Sequence, residues 1–130
     1  MATKAPAPAH IHPRLIEAAI ALNANRLDVA ERILKPHLNE DPFDAKAIRM
    51  LAELAGRIGR WRDAENLLRR AVEIAPAWTT ARANLALVLG RMGQPAEALE
   101  LLDSVFAEEP EGLSHWNLKA ATLGRLGEFE

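Results

Sequence analysis

The sequence contains no cysteine, no tyrosine and no long apolar run. Without cysteine the chain can form neither disulfides nor thiolate metal sites, which fits a reducing compartment. No apolar stretch approaches the roughly 18 residues that a membrane-spanning helix needs. Residues 1–8 also lack the apolar segment of a secretory signal peptide. We therefore expect a cytoplasmic protein without a membrane segment.

An excess of charge of one sign is also missing. The chain has 16 Lys and Arg against 18 Asp and Glu, a formal net charge of −2. A surface with so balanced a charge gives no field that would hold a polyanion. We expect neither nucleic acid nor a membrane surface as a partner.

Alanine and leucine make up most of the apolar content. The chain is 49% hydrophobic but only 5% aromatic. Because Ala and Leu are the strongest helix formers among the apolar residues, this composition predicts an all-α protein. A chain of 130 residues is long enough to bury the core of one compact domain.

A period of 34 residues organises the sequence without an insertion. The same residue type recurs at this step in five sets of positions: Pro42, Pro76 and Pro110; Gly59, Gly93 and Gly127; Ala18, Ala52, Ala86 and Ala120; Ala30, Ala64 and Ala98; Leu34, Leu68 and Leu102. Asn25 stands one step before the first of these glycines, and Asn is the usual substitute for Gly in a left-handed helix cap. Periods of this length are typical of stacked structural repeats.

Each repeat has the pattern of two antiparallel helices. Small residues such as Ala52 and Ala64 fall where the two helices would cross, and Leu68 lies on an apolar stripe beside them. The predicted helices are 13–24, 28–39, 44–57, 61–74, 78–91, 95–108 and 113–125. Pro36 predicts a kink or an early end of the second helix near Leu34. We interpret 1–10 as a tail and 11–130 as one domain, with repeat units 11–44, 45–78, 79–112 and a truncated 113–130.

These residues resemble the tetratricopeptide repeat family, whose unit carries W-x2-L-G-x2-Y, then A-x3-F, then P. The matches are Trp116 for the leading aromatic residue, Leu51 and Leu85 for the leucine, the alanines from Ala18 to Ala120, and Trp61 and Phe129 for the aromatic residue opening the second helix. The resemblance implies a right-handed α-solenoid of antiparallel helix pairs, with about three and a half units and seven helices. It also implies a scaffold for protein–protein interaction.

Residues with the chemistry of a catalytic or metal site are sparse. His10 and His12 form an H-x-H pair, but a zinc site needs three or four protein ligands. His37 has no Asp or Ser at a spacing that indicates a triad, so we predict a surface histidine. No glycine-rich phosphate loop is present. We predict no catalytic residue, no metal and no cofactor.

The resemblance places the candidate binding surface on the first helix of each unit, because these helices line the concave side of such a solenoid. The predicted groove residues are Lys46, Arg49, Glu53 and Arg57; Thr80, Ala83, Leu87 and Arg91; and Ser114, Asn117, Ala121 and Arg125. Glu53 lies four residues from both Arg49 and Arg57, so we expect it to pair with them along the helix.

Two features of this groove each have two interpretations. Arg57, Arg91 and Arg125 recur at the repeat step and would suit an acidic peptide or helix. The helix dipole alone also favours arginine near the end of a helix. Trp78 precedes the first helix of its unit, either as an exposed interface anchor or as a staple that packs the loop onto that helix.

The sequence therefore predicts a module that binds a protein or peptide in a concave groove. The alternative is a substrate-presenting or regulatory region of a larger enzyme. The sequence of the second and third units is similar to bacterial repeat segments that precede sulfotransferase-type domains. We also expect self-association through the C-terminal end, because the helix at 113–125 carries an apolar face of Trp116, Ala120 and Leu123 without a partner helix.

Overall fold

The computed structural model describes residues 12–108 of the chain. This part consists of six helices and contains no strand. The helices are α1 (Pro13–Asn23), α2 (Leu27–Glu40), α3 (Ala45–Arg57), α4 (Trp61–Ile74), α5 (Thr79–Arg91) and α6 (Pro95–Glu108). Each boundary lies within one residue of its predicted position. The helix predicted at 113–125 lies outside the described residues.

The turns that join the two helices of each repeat share one backbone conformation. Asn25, Gly59 and Gly93 have positive φ angles of 59°, 82° and 80°. After α1, the N–H of Arg26 donates to the carbonyl of Ala21 and the N–H of Asn25 to that of Leu22, the two bonds of a Schellman motif. The predicted left-handed role of Asn25 is confirmed.

Two glycines near the end of α5 should respond in opposite directions to the same substitution. Gly93→Ala should lower the free energy of unfolding by about 1 kcal/mol, because a Cβ is disfavoured at positive φ. Gly90→Ala should raise it by about 0.5–1 kcal/mol, because Ala is the better residue inside a helix. A Cβ at Gly90 would meet no atom of the described residues within 4 Å. Chemical denaturation of both variants checks the pair, and a loss of stability in both would contradict this account of the turn.

Open space at Gly90 is not a property of every repeat. At the equivalent Gly56, a Cβ would come within 3.1 Å of the Trp61 ring. The residue equivalent to Trp61 in the next repeat is Pro95, the first residue of α6. Its small ring leaves the space over Gly90 open.

The chain divides into two compact units, one up to Ala77 and one from Trp78. In the first unit α1 packs on α2, α3 on α4, and α2 also contacts α3. Ala18, Ala30 and Ala64 are fully buried, and Leu68 is 2% exposed. The predicted placement of small residues at helix crossings and of leucine in the core is therefore confirmed for this unit.

The second compact unit has its core between α5 and α6. The buried side chains here include Ala86, Leu89, Ala98, Leu102 and Val105. Arg82 of α5 also ties the two helices together. Its Nη1 donates to the Ser104 hydroxyl at 3.0 Å, and its Nη2 pairs with the Glu108 carboxylate at 2.8 Å.

Of the two outcomes predicted at Pro36, a kink or an early end near Leu34, the early end is wrong, and α2 ends within one residue of the predicted boundary at 39. The helix α2 continues through Pro36 to Glu40. Proline removes one backbone hydrogen bond there, the one that would run to Arg32. The turn after Pro36 still packs, because His37 is 3% exposed and Leu38 lies against the core. This burial offsets the missing bond.

None of the described helices combines the length and the apolar composition that crossing a bilayer requires.

Candidate functional site

The predicted binding residues of α3 lie on a face separate from the one that enters the core. Ala47, Met50 and Leu54 pack into the core with α1 and α2. Lys46, Arg49, Glu53 and Arg57 follow one another at steps of three or four residues and keep access to solvent. The side chains of Arg49, Glu53 and Arg57 are 26%, 36% and 34% exposed.

An ion-pair network runs along this α3 face. The carboxylate of Glu53 lies 2.6 Å from Nη2 of Arg57 and 3.9 Å from Nη1 of Arg49. The predicted pairing of Glu53 with both arginines is confirmed. Since these groups are about a third exposed, water screens the attraction, and the pairs position side chains more than they stabilise the fold.

Arg57 has a second contact that sequence reasoning missed. Its Nη1 donates a hydrogen bond to the main-chain carbonyl of Leu22, near the end of α1. The Leu22 carbonyl also accepts from the N–H of Asn25 in the Schellman motif, and a carbonyl oxygen has two lone pairs, so it can accept from both groups. Arg57 therefore also ties α3 to α1. The recurrence of Gly-Arg at the repeat step was the available signal, and it fits such a structural role as well as ligand binding.

The predicted face of α5 differs in character from that of α3. Arg91 is exposed and Thr80 is half-buried. Leu87 is 38% exposed, an unusual position for a large apolar side chain, whereas Ala83 is only 2% exposed and offers little surface. Trp78, directly before this helix, is 7% exposed, which fits the staple interpretation and leaves little of the ring for a partner.

The rest of the predicted groove lies outside the described residues. This holds for Ser114, Asn117, Ala121 and Arg125, and for the C-terminal end that we expect to self-associate. The expected self-association stays a prediction.

A buried polar pair lies at the junction between α2 and α3. His37 is 3% exposed, so its predicted surface location is wrong. Its Nε2 lies 2.7 Å from Oδ2 of Asp44, while Oδ1 of the same carboxylate accepts from the N–H of Ala47 and caps α3. The Nδ1 of His37 is buried and has no hydrogen-bond partner among the described residues. The ring of His12 packs edge-on against that of His37, with centroids 4.9 Å apart.

The repeat period contained the signal for this burial. The residues equivalent to His37 in the next two repeats are Ala71 and Val105, and both are fully buried. The residues next to His37 in the sequence gave no reason to expect its burial. Its position within the 34-residue repeat, by contrast, predicts that it lies in the core.

One further side chain joins this pair. A ligand atom from each of His37, Asp41 and Asp44 lies within 4.8 Å of the other two. His12 caps α1, with its Nδ1 accepting from the N–H of Arg14 at 3.1 Å. His10 lies outside the described residues, so the H-x-H pair cannot be placed as a whole.

Comparison with known proteins gives one family and several similar structures. Residues 59–122 match a family model described as tetratricopeptide repeat. No curated protein matches the chain. The crystal structure of MamA protein superposes with a TM-score of 0.75 at 20% identity, covering 88% of this chain and 62% of that one. A mutant of the Thermobaculum terrenum O-GlcNAc transferase has a TM-score of 0.81 at 26% identity, covering 85% of this chain and 21% of that one.

These similarities confirm the predicted fold class, an α-solenoid of antiparallel helix pairs. The chain spans less than two thirds of the length of either protein. Neither is a sulfotransferase, and that part of the resemblance stays a prediction.

Proposed function

We propose that this chain, a tetratricopeptide repeat protein, is a protein–protein interaction scaffold that binds through the exposed faces of its first helices, α3 in the first compact unit and α5 in the second. The observation that carries the proposal is the division of α3 into two faces. One side is committed to the core, whereas Lys46, Arg49, Glu53 and Arg57 remain accessible on the other. In a repeat protein, such a stripe of side chains that the core does not use is available for binding.

The charges of the α3 face favour an acidic partner. Three cations and one carboxylate give it a net charge of +2, on a chain whose overall charge is −2. Glu53 lies between two of the cations and holds them in place. Arginines held in this way can bind a carboxylate with two parallel hydrogen bonds.

The face of α5 supplies apolar contact beside a charge. Leu87 is exposed one helical turn before Arg91. A peptide that carries an apolar side chain next to a carboxylate could contact Leu87 with the first and Arg91 with the second. We propose that the partner of this scaffold is a segment of that kind, acidic and amphipathic.

A matched pair of arginines tests the proposal. Arg91→Glu should weaken binding of an acidic peptide, recovered from a library on the wild-type chain, by about tenfold or more. Arg62→Glu makes the same change of charge on α4, where the side chain is 77% exposed, and should change affinity less than about twofold. Fluorescence anisotropy at low and high salt measures both, and the wild-type affinity should fall with salt.

Three results would contradict the proposal. The first is an equal loss of affinity in Arg91→Glu and Arg62→Glu, which would mean that binding depends on the net charge of the chain and not on the α5 face. The second is unchanged affinity in Arg91→Glu. The third is unchanged affinity in Leu87→Ser, which removes the exposed apolar contact of α5 and leaves the charge intact.

A second candidate is a substrate-presenting or regulatory region of a larger enzyme. The similarity to the O-GlcNAc transferase favours it, because the matching part occupies only 21% of that enzyme's chain. On this proposal catalysis lies outside these residues, in a transferase of the glycosyl or sulfuryl class. The reading frame after Glu130 tests it: a catalytic domain there supports the proposal, and an immediate stop codon overturns it.

A further inference from the structure

We propose that His37, Asp41 and Asp44 form a binding site for a divalent transition-metal ion such as Zn²⁺ at the junction between α2 and α3. Their ligand atoms already lie within 4.8 Å of one another. Imidazole nitrogen together with carboxylate oxygen suits Zn²⁺ and its neighbours in the first transition row. Ca²⁺ and Mg²⁺ prefer ligand sets made of oxygen alone.

The three residues belong to one repeat junction and not to the next. His37 lies in the last turn of α2, Asp41 follows the helix as its C-cap, and Asp44 is the N-cap of α3. Thirty-four residues later the equivalent positions hold Ala71, Ala75 and Trp78, none of which ligates metals. The 34-residue pattern therefore does not account for their presence together at the first junction.

The imidazole of His37 is buried and faces one of the two carboxylates of the site. A neutral imidazole that donates from Nε2 to Asp44 keeps a lone pair on Nδ1, and this atom is buried without a hydrogen-bond partner among the described residues. An unsatisfied buried polar atom destabilises a protein. Both ring nitrogens can serve as metal ligands. Because Nε2 faces Asp44, an ion shared with that carboxylate would bind Nε2, and the ring proton would then lie on Nδ1.

The site needs only small adjustments to receive an ion. Ligand atoms of a tetrahedral zinc site lie about 3.3 Å apart, somewhat closer than the 4.8 Å limit seen here. Asp41 is exposed, and one of its carboxylate oxygens already lies within 4.8 Å of the ligand atoms of the pair. Asp44 is already oriented, since Oδ1 caps α3 and leaves Oδ2 towards His37. His12 restrains the His37 ring and brings a second imidazole to the edge of the site.

Binding would link the end of α2 to the start of α3. These helices belong to successive repeats within the first compact unit. An ion that binds only the folded protein stabilises it by mass action. The proposed ion would thus fix the junction between the first two repeats.

Calorimetric titration of the tag-free, metal-stripped chain with Zn²⁺ tests the proposal. We expect one Zn²⁺ per chain and a rise in the thermal midpoint of about 5 °C or more at a hundredfold excess over the dissociation constant. Ca²⁺ at the same concentration should produce neither effect. Equal binding of Ca²⁺, or no stoichiometric uptake of Zn²⁺, would overturn the assignment.

The next repeat indicates which substitutions to make at two of the ligands. His37→Ala and Asp41→Ala introduce the residues found at the equivalent positions Ala71 and Ala75, and each should weaken Zn²⁺ binding by about tenfold or more. Asp63→Asn, at an exposed carboxylate in the first turn of α4, should leave it unchanged. Undiminished affinity in His37→Ala would show that the ion binds elsewhere, such as at His10 and His12, and would refute the site.

Discussion

Leu68→Ala should lower the free energy of unfolding by about 2–5 kcal/mol. The side chain is 2% exposed and is among the largest buried ones in α4. Its equivalents Leu34 and Leu102 are fully buried as well. Removing three carbon atoms loses their transfer free energy and leaves a cavity, because helices held on both sides cannot collapse into the space. Urea denaturation followed by far-UV circular dichroism measures the loss.

A matched control separates burial from helix propensity. Ile20→Ala also shortens a branched aliphatic side chain within a helix, but Ile20 is 63% exposed. It should change stability by less than about 0.5 kcal/mol. A loss in Leu68→Ala as small as that of the control would contradict the assignment of Leu68 to the core.

Asp44→Ala should lower the free energy of unfolding by about 2–4 kcal/mol in metal-free buffer with a chelator. About 1 kcal/mol is the loss of the N-cap, since Oδ1 of Asp44 accepts from the N–H of Ala47. About 1–3 kcal/mol more is the desolvation of His37, whose two ring nitrogens would both be buried without a partner. Chemical denaturation of the substituted chain gives the sum.

A double-mutant cycle divides the sum into its two parts. In a His37→Ala background no imidazole remains to be satisfied, and Asp44→Ala should cost only the cap, about 1 kcal/mol. Asp44→Asn keeps the cap and should therefore lose less than Asp44→Ala. If Asp44→Ala costs the same with and without His37, the two residues are not coupled and the hydrogen bond between them contributes nothing to stability.

The arginines at the ends of the first helices show that recurrence at the repeat step does not reveal what a residue does. Arg57 recurs as Arg91 at the repeat step, which suits either a ligand-binding edge or the helix dipole. The structure adds a third role for Arg57, as donor to the carbonyl of Leu22. An arginine has five N–H donors, so this bond and the pair with Glu53 leave donors for a partner. Replacing Arg57 would also break its bond to Leu22, so a substitution at Arg91 is the better test of partner binding.

The sequence by itself determined the period, the helix boundaries and the turns. The six described helices begin and end within one residue of their predicted positions, and Asn25 has the left-handed conformation that its place in the period indicated. The pairing of Glu53 with Arg49 and Arg57 could also be predicted from the sequence. All of these depend on residues no more than a helical turn or two apart, and the 34-residue repeat presents the same evidence several times over.

Only the tertiary structure decided what the polar side chains contact. The bond from Arg57 to Leu22 joins residues 35 positions apart, and the continuation of α2 past Pro36 depends on the packing of the turn after it. The burial of His37 results from two helices that meet at a junction where Asp44 already caps the second. Such contacts depend on how helices approach one another. That approach is set by the summed packing of many apolar side chains, and no short stretch of sequence encodes it.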